Sequence, residues 1–329
     1  MSAKKIAVAM SGGVDSTVTA ALLQKQGYEI LGVFMALAQP DLAGQIARVQ
    51  KAADFLGVPL EVVDLGTEFK QEVLGYFRTA YEAGKTPNPC VICNRRIKFG
   101  RLLDRAQARG CRKMATGHYA RIKQAQNGVF HLLRGRDPKK DQSYFLNMLT
   151  QEQLAGILFP LGEYEKDHVY AVAEDFGLLF ERREESQDVC FLADTDIATC
   201  LAQLGVPARA GDIVTADGTR VGRHKGVAAY TVGQRRGLGV PDATPYYVIG
   251  LDSRTNRIIV GKEGDLQARG LLVRNVNWTV GTKPVLPGNF DVKIRYRHMG
   301  AKATVREIAG GEIEIDFLQP QRAVTPGQF

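Results

Sequence analysis

No apolar run in this sequence approaches the ~20 residues that a membrane-crossing helix requires, so a membrane protein is excluded at the outset. No leader is expected either. The start, MSAKKIAVAMSGG, has two lysines, but its short apolar stretch runs straight into glycines, unlike a signal or transit peptide, and a cytoplasmic location is expected. Neither internal repeats nor low-complexity tracts occur, which removes solenoids and disordered linkers from consideration. Phosphate-binding signatures of two common kinds are absent: there is no G-x-x-x-x-G-K and no G-x-G-x-x-G, so P-loop NTPases and dinucleotide folds are set aside. Cysteines number five (Cys90, Cys93, Cys111, Cys190, Cys200), an odd count that in a reducing compartment argues against a disulfide framework. Each is therefore judged as a thiol. Acidic residues are in short supply, 35 against 43 Lys and Arg, a formal charge of +8 that favours a polyanionic partner without identifying one.

What is present is a multidomain soluble pattern, since 329 residues suffice for two or three cores. KKIAVAM (residues 4–10) reads as a buried strand, Val14 to Gln26 as a helix stopped by Gly27, and Tyr28 to Ala36 as the next strand. A helix over about Leu42 to Leu56, a strand in PLEVVDL and a helix over about Glu68 to Tyr81 follow. This alternation predicts an α/β fold, a doubly wound parallel sheet with right-handed crossovers, whose ligands bind beyond the carboxyl ends of the strands. Lys85 to Cys93 (KTPNPCVIC) reads as a loop because of its two closely spaced prolines. A helix from about Asn94 to Ala108, a strand in CRKMATGH, a basic turn in RGRDPKKDQ and a helix pair between Gln151 and Gly177 come next. Beyond about residue 205 the texture is short β runs between Gly, Pro and Asp, as in small sheets or barrels. The expected division is a nucleotide-binding catalytic domain over 1–200, a small β-rich domain over 201–268 and a C-terminal β-barrel over 269–329.

The first strand delivers the chain into Ser11-Gly12-Gly13-Val14-Asp15-Ser16, where a helix opens. Paired glycines permit close backbone approach to an anion, and hydroxyls and unpaired N–H groups at the helix start supply donors. The same composition also makes an ordinary capped turn. Further along, Cys90 and Cys93 form a C-x-x-C leading into a helix, where the dipole lowers a thiol pKa toward neutrality. A zinc half-site would want a second tight ligand pair, which does not follow. A thioredoxin-like motif would sit directly after a strand, and plain structural cysteines remain open. Cys190, in REESQDVCFL, joins a polar stretch to an apolar one.

SGGVDS resembles the pyrophosphate-grasping loop of the ATP pyrophosphatases, which transfer AMP to a carbonyl oxygen. With TPNPCVICNRRIKF, ATGHYAR, LLRGRDPKKDQSYFL, SQDVCF, YTVGQRRGLG, KIRYRH and TPGQ in order, nearly the whole chain is similar to the bacterial tRNA-specific 2-thiouridylases. That resemblance implies ATP at Ala9, Met10, Ser11, Gly12, Gly13, Val14, Asp15 and Ser16, with Asp15 helping to place Mg2+ and with Met35 and Gly117 beside adenine and ribose. It implies Cys93 as nucleophile and Cys190 as persulfide carrier. Asn88, Pro89 and Cys90 would touch the target base; some family members have Asp in the place of Cys90, which leaves a general-base role there open. Lys140, Asp141 and Gln142, with Lys139 beside them, would contact the anticodon region of tRNA, and Arg295 and Tyr296 would make a second contact. Arg235 and Arg236 read as similarly exposed. Cys111 and Cys200 match no motif and read as buried small hydrophobes.

The implied reaction is ATP-dependent 2-thiolation of the wobble uridine in glutamate, glutamine and lysine tRNAs, with sulfur supplied by a cysteine desulfurase or a sulfur-relay protein. An alternative uses Cys90, Cys93 and Cys190 as ligands of an iron–sulfur cluster that delivers sulfide. Another is a synthetase that adenylates a small carboxylate or carbonyl substrate, which explains SGGVDS but not the cysteines, and a third is an RNA-binding module with a vestigial nucleotide site. Two departures from the family pattern stand out. The insertion after Met35 is short (ALAQPDLAG), and the end at Gln328-Phe329 implies a barrel short of strands.

Overall fold

The computed structural model describes residues 4–37, 39, 41–178, 180, 189–192 and 195–329. Residues 183–188, the polar stretch expected before Cys190, lie outside them. By packing, the chain divides into two bodies. One comprises Met1–Val73, Cys90–Ala193 and Asn277–Lys283, and the other Leu74–Pro89, Asp194–Val276 and Pro284–Phe329. Three short segments differ from the expected division: 74–89 and 195–200 pack outside the first body, and 277–283 packs within it.

In the first body, β1 (Lys5–Ala9), β2 (Glu29–Ala36), β3 (Leu60–Asp64), β4 (Lys113–Ala115) and β7 (Ile157–Leu158) form a parallel sheet in the order β3-β2-β1-β4-β7. β5 (Ala120–Gln124) and β6 (Phe130–Arg134) are a separate antiparallel hairpin that was not expected. β7 was also missed, because two residues between helices carry too little pattern to read. The centre of the sheet is apolar on both faces, as a parallel strand requires: Ile6, Ala7 and Val8 are all buried. Strand order reverses at β1, which makes the edge between β1 and β4 the place for a ligand.

Helix α1 (Val14–Lys25) follows β1 and buries most of its circumference, from Val14, Thr17 and Val18 to Ala21 and Leu23. Helix α2 (Leu42–Leu56) has only Val49 and Ala53 buried, starts with the Asp41 carboxylate accepting from Gly44 N at 3.2 Å, and ends at Gly57 in the left-handed conformation. The helix expected over 68–81 is α3 (Gly66–Phe69), a π-helical turn at Lys70–Leu74 and α4 (Gly75–Glu82).

The largest correction concerns the cysteine loop. Pro89 does not prevent a helix there, because at a first helical position its missing N–H is an orphan anyway. Helix α5 (Pro89–Ile92) continues into a π-helical stretch, Cys93–Leu102, and then α6 (Leu103–Ala108). A side chain enters the widened ladder: Gln153 Nε2 donates to the carbonyls of Arg95 and Phe99 at 2.7 and 2.9 Å. Gln153 stands in α7 (Gln151–Ala155), where its Oε1 accepts from Thr150 N at 3.1 Å. Helix α8 (Lys166–Asp175) packs Val169 and Ala173 on Val14 and Val18 of α1.

The second body contains α9 (Ile197–Gln203) and two sheets. β8 (Gly211–Thr215), β9 (Arg220–His224), β10 (Tyr247–Asp252) and β11 (Arg257–Gly261) pair in the order β10-β11-β8-β9 around Ile213, Val248, Ile258 and Val260. β12 (Gln267–Val273), β13 (Gly288–Val292), β14 (Ala301–Glu307) and β15 (Ile313–Arg322) form an antiparallel sheet in the order β12-β15-β14-β13. Among the described residues no helix is long and apolar enough to cross a membrane.

Candidate active site

A cleft of about 250 Å³ opens at the carboxyl ends of β1, β2 and β4. Ala9, Met10, Ser11, Asp15, Ser16, Met35 and Gly117 line it, seven of the ten residues named above for the nucleotide. The other three shape the loop from behind. Gly12 has φ +76°, and a Cβ there would lie 3.1 Å from the Arg48 and Val49 backbone. Gly13 is the N-cap of α1, its carbonyl accepting from the hydroxyls of Ser16 and Thr17 at 3.0 Å each. Val14 is buried against α8. Ser16 Oγ accepts from Ser11 N at 3.1 Å, so one hydroxyl closes the loop on itself.

Asp15 is held on three sides. Lys166 Nζ reaches both carboxylate oxygens, Tyr119 OH donates to Oδ1 at 2.7 Å, and Gly117 lies so close that a Cβ there would be 2.8 Å from Asp15 Cβ. Lys166 is buried and also lies over the rings of Tyr119 and Tyr170, at 5.7 and 5.3 Å. Beside them His118, buried between Phe99 and Phe159, pairs its Nδ1 with Thr116 Oγ1 at 2.7 Å. Burial, reinforced by the charge of Lys98, holds its pKa well below the usual histidine value. A neutral imidazole results.

The thiols overturn one expectation. Cys90 and Cys93 lie within a helix rather than on a loop ahead of one, and burial pushes their pKa values up, to about 11 and about 12. The field of a helix terminus is worth only ~0.3–1 kcal/mol at an exposed site, less than the cost of desolvating a thiolate. Crowding by surrounding protein also raises Cys190, although its surface is exposed. The Cys190 charge acts on both Cys90 and Cys93, raising them further, and Lys98 opposes the rise at all three. Cys90, Cys93 and Cys190 thus share one electrostatic neighbourhood. Cys111 and Cys200 are buried. Among the described residues no group of three or more His, Cys, Asp or Glu has metal-holding spacing.

Residues 4–194 match the model of the tRNA methyl transferase HUP domain, 201–262 the tRNA methyl transferase PRC-barrel domain and 268–329 the aminomethyltransferase beta-barrel domain. The tRNA-specific 2-thiouridylase MnmA of Geobacter metallireducens is 44% identical, over 99% of this chain and 92% of that protein. The chain belongs to the tRNA-specific 2-thiouridylase family. The enzymes of the same name from Desulfotalea psychrophila and Magnetococcus marinus are 46% and 44% identical, over 98% and 99% of this chain and 93% and 94% of their own lengths.

In this 2-thiouridylase family member, the basic turn has Lys139 exposed and Lys140 half-buried, but the residue that follows is not at the surface. Asp141 is buried, its carboxylate accepting from Gly135 N, Ser143 N and Ser143 Oγ at 3.0 to 3.1 Å. Gln142 lines the cleft beside the Ser11–Ser16 loop and accepts from Tyr119 N at 2.9 Å, a placement its sequence neighbours did not signal. In the second body the Arg295 guanidinium donates to the carbonyls of Arg322 and Ala323 at 3.1 and 3.3 Å, Tyr296 is half-buried, and Arg235 and Arg236 are exposed. Asn88 and Pro89 fall in the second body and Cys90 in the first. Sequence reasoning missed Lys98, Thr116, His118, Tyr119 and Lys166. All but Lys166 sit inside motifs of the 2-thiouridylases quoted above, whereas Lys166 had no signal of its own.

Proposed function

We propose that this protein uses ATP to 2-thiolate the wobble uridine of tRNA, transferring AMP to the C2 oxygen and then replacing that oxygen with sulfur. One observation carries the reading: a phosphate-cradling loop and a cluster of three thiols share the first body, with Lys98 lining the cleft and acting on every thiol. The model names mention methyl transfer, but a thiol cluster beside a phosphate loop suits sulfur transfer through an adenylate. Ser11, Ser16 and the opening N–H groups of α1 take the phosphates. Asp15 is the carboxylate of the cleft lining, which fits magnesium carried in on ATP phosphates rather than a preformed all-protein cage. Bound there, the ion would neutralise phosphate charge.

Uracil C2 is a poor electrophile with oxide as leaving group, and adenylation of its oxygen supplies a good one. In the sulfur step the Cys93 thiolate attacks the Cys190 sulfur of a Cys190 persulfide. The S–S bond breaks, hydrosulfide leaves with the electron pair, and a Cys93–Cys190 disulfide remains for reduction. Hydrosulfide then forms the C–S bond at C2 as the C–O bond to AMP breaks. In the variant order the persulfide attacks C2 first and Cys93 releases the thiolated base, with the same balance. Asn88, Pro89 and Cys90 border the base, and Lys139, Lys140, Gln142, Arg295 and Tyr296 face tRNA. Glutamate, glutamine and lysine tRNAs are the acceptors, a cysteine desulfurase or relay protein is the donor, and the reaction is cytoplasmic. The division at 1–200, 201–268 and 269–329 belongs to the same reading. A synthetase acting on a small carboxylate would release AMP without tRNA. The test is AMP release from ATP with and without tRNA, with nucleoside mass analysis of the product. Release that ignores tRNA, or a uridine that keeps its oxygen, defeats the proposal.

A further inference from the structure

Lys98 lines the cleft with Ser11, Asp15 and Ser16. It stands five residues after Cys93 in the π-helical stretch Cys93–Leu102. Backbone hydrogen bonds there run between residues five apart, so the fifth residue lies about one turn above the first; in an α-helix it would be rotated well away. Gly100 and Gln153 support that geometry: a Cβ on Gly100 would lie 3.2 Å from the Arg95 carbonyl oxygen, and Gln153 donates to that same oxygen. Lys98 is also the cleft-lining residue whose charge acts on Cys90, Cys93 and Cys190 together. Among the described residues no carboxylate pairs with it, whereas Lys166 is committed to Asp15. A half-buried ammonium with no carboxylate partner among the described residues, lining a phosphate cleft and acting on the thiols, is placed for anions on both sides.

Resting on the thiolation reading, we propose that Lys98 is a catalytic residue serving both halves of the reaction, holding the phosphate of the departing AMP and stabilising the sulfur anion that displaces it. As the C2–O bond breaks, its electron pair and the growing negative charge pass to the AMP oxygen. As the C–S bond forms, sulfur gives up its charge. A fixed cation between the two sites stabilises charge at its origin and at its destination. Lys98 forms no bond and moves no proton in this scheme.

The test compares wild type with Lys98→Met and Lys98→Arg in two measurements. One is 2-thiouridine formation at saturating tRNA over an ATP series that reaches saturation, which separates kcat from the KM for ATP. The other is the rate of iodoacetamide alkylation of Cys93, read by peptide mapping at one fixed pH without ATP or tRNA. Removing a donor to developing charge costs ~100-fold or more in turnover. Lys98→Met is expected to show that loss and slower alkylation, with Lys98→Arg restoring part of both. Alkylation at the wild-type rate in Lys98→Met, or a loss confined to the KM for ATP, overturns the dual role. If wild type itself releases no tRNA-dependent AMP, the thiolation reading fails, and the alkylation comparison still decides whether Lys98 serves the thiols.

Discussion

Lys166 Nζ lies 2.8 Å from both carboxylate oxygens of Asp15, joining α8 to the first turn of the helix that follows the phosphate loop. The link spans 151 residues of sequence. It fixes the acid of the cleft before any phosphate arrives, with Tyr119 OH as the second donor.

Breaking that link is expected to cost stability as well as activity. Removing one partner of a buried pair costs ~3–5 kcal/mol, and with the Asp15 side chain 29% exposed the Lys166→Met variant falls at or below the lower end. Urea denaturation checks this. A midpoint equal to wild type shows that the pair contributes nothing.

The cysteines give a pH dependence whose sign follows from their burial. An unfolded thiol ionises near 9.0, while folded Cys90 and Cys93 keep their protons up to about 11 and about 12. Between those values the unfolded chain has released protons that the folded one retains, so the contribution is full below pH 9 and declines from there to about 12. Replacing Cys93 by Ser should flatten the fall in denaturation midpoint across that window. An unchanged slope contradicts the burial of this thiol.

Gly117 should tolerate no side chain. A methyl group 2.8 Å from Asp15 Cβ has nowhere to go, because Lys166 and Tyr119 hold that residue from the other side. Gly117→Ala is expected to lose ~1–3 kcal/mol of stability by overpacking and to raise the KM for ATP more than it lowers kcat. Steady-state kinetics over an ATP series distinguishes these, and an unaltered KM rejects the close approach.

Gln153 supports the widened helix beneath Cys93. Its side chain serves the carbonyls of Arg95 and Phe99 and the amide of Thr150, and Gln153→Leu leaves those groups unmatched at ~1–3 kcal/mol for each buried one. Relaxation toward an α-helix would turn Lys98 away from Cys93. Stability and 2-thiouridine formation should fall together, although Gln153 does not line the cleft. Loss of stability with full activity at low temperature argues against the coupling.

Cys93→Ser and Cys190→Ser should each abolish 2-thiouridine formation while tRNA affinity in a filter-binding assay stays near wild type. Thiolation persisting in either variant removes that cysteine from the sulfur path.

Local pattern alone determined the alternating sheet and the helix boundaries at Val14, Leu42 and Gly57, because apolar periodicity and glycine placement act over a few residues. Spacing left the roles of the cysteines open, and only the resemblance to the 2-thiouridylases singled out Cys93 and Cys190 as candidates for the sulfur path. Tertiary structure decided the rest. It set Cys90 and Cys93 inside a helix, since only the packed fold shows that Pro89 occupies a first turn. It reversed their acidity, because desolvation depends on how much protein surrounds a thiol and local sequence does not record that. It drew Gln142 into the cleft, buried Asp141, and matched Lys166 with Asp15. An ion pair between residues so far apart in the chain leaves no local trace, for its energy depends on distance and dielectric that exist only once the fold has closed.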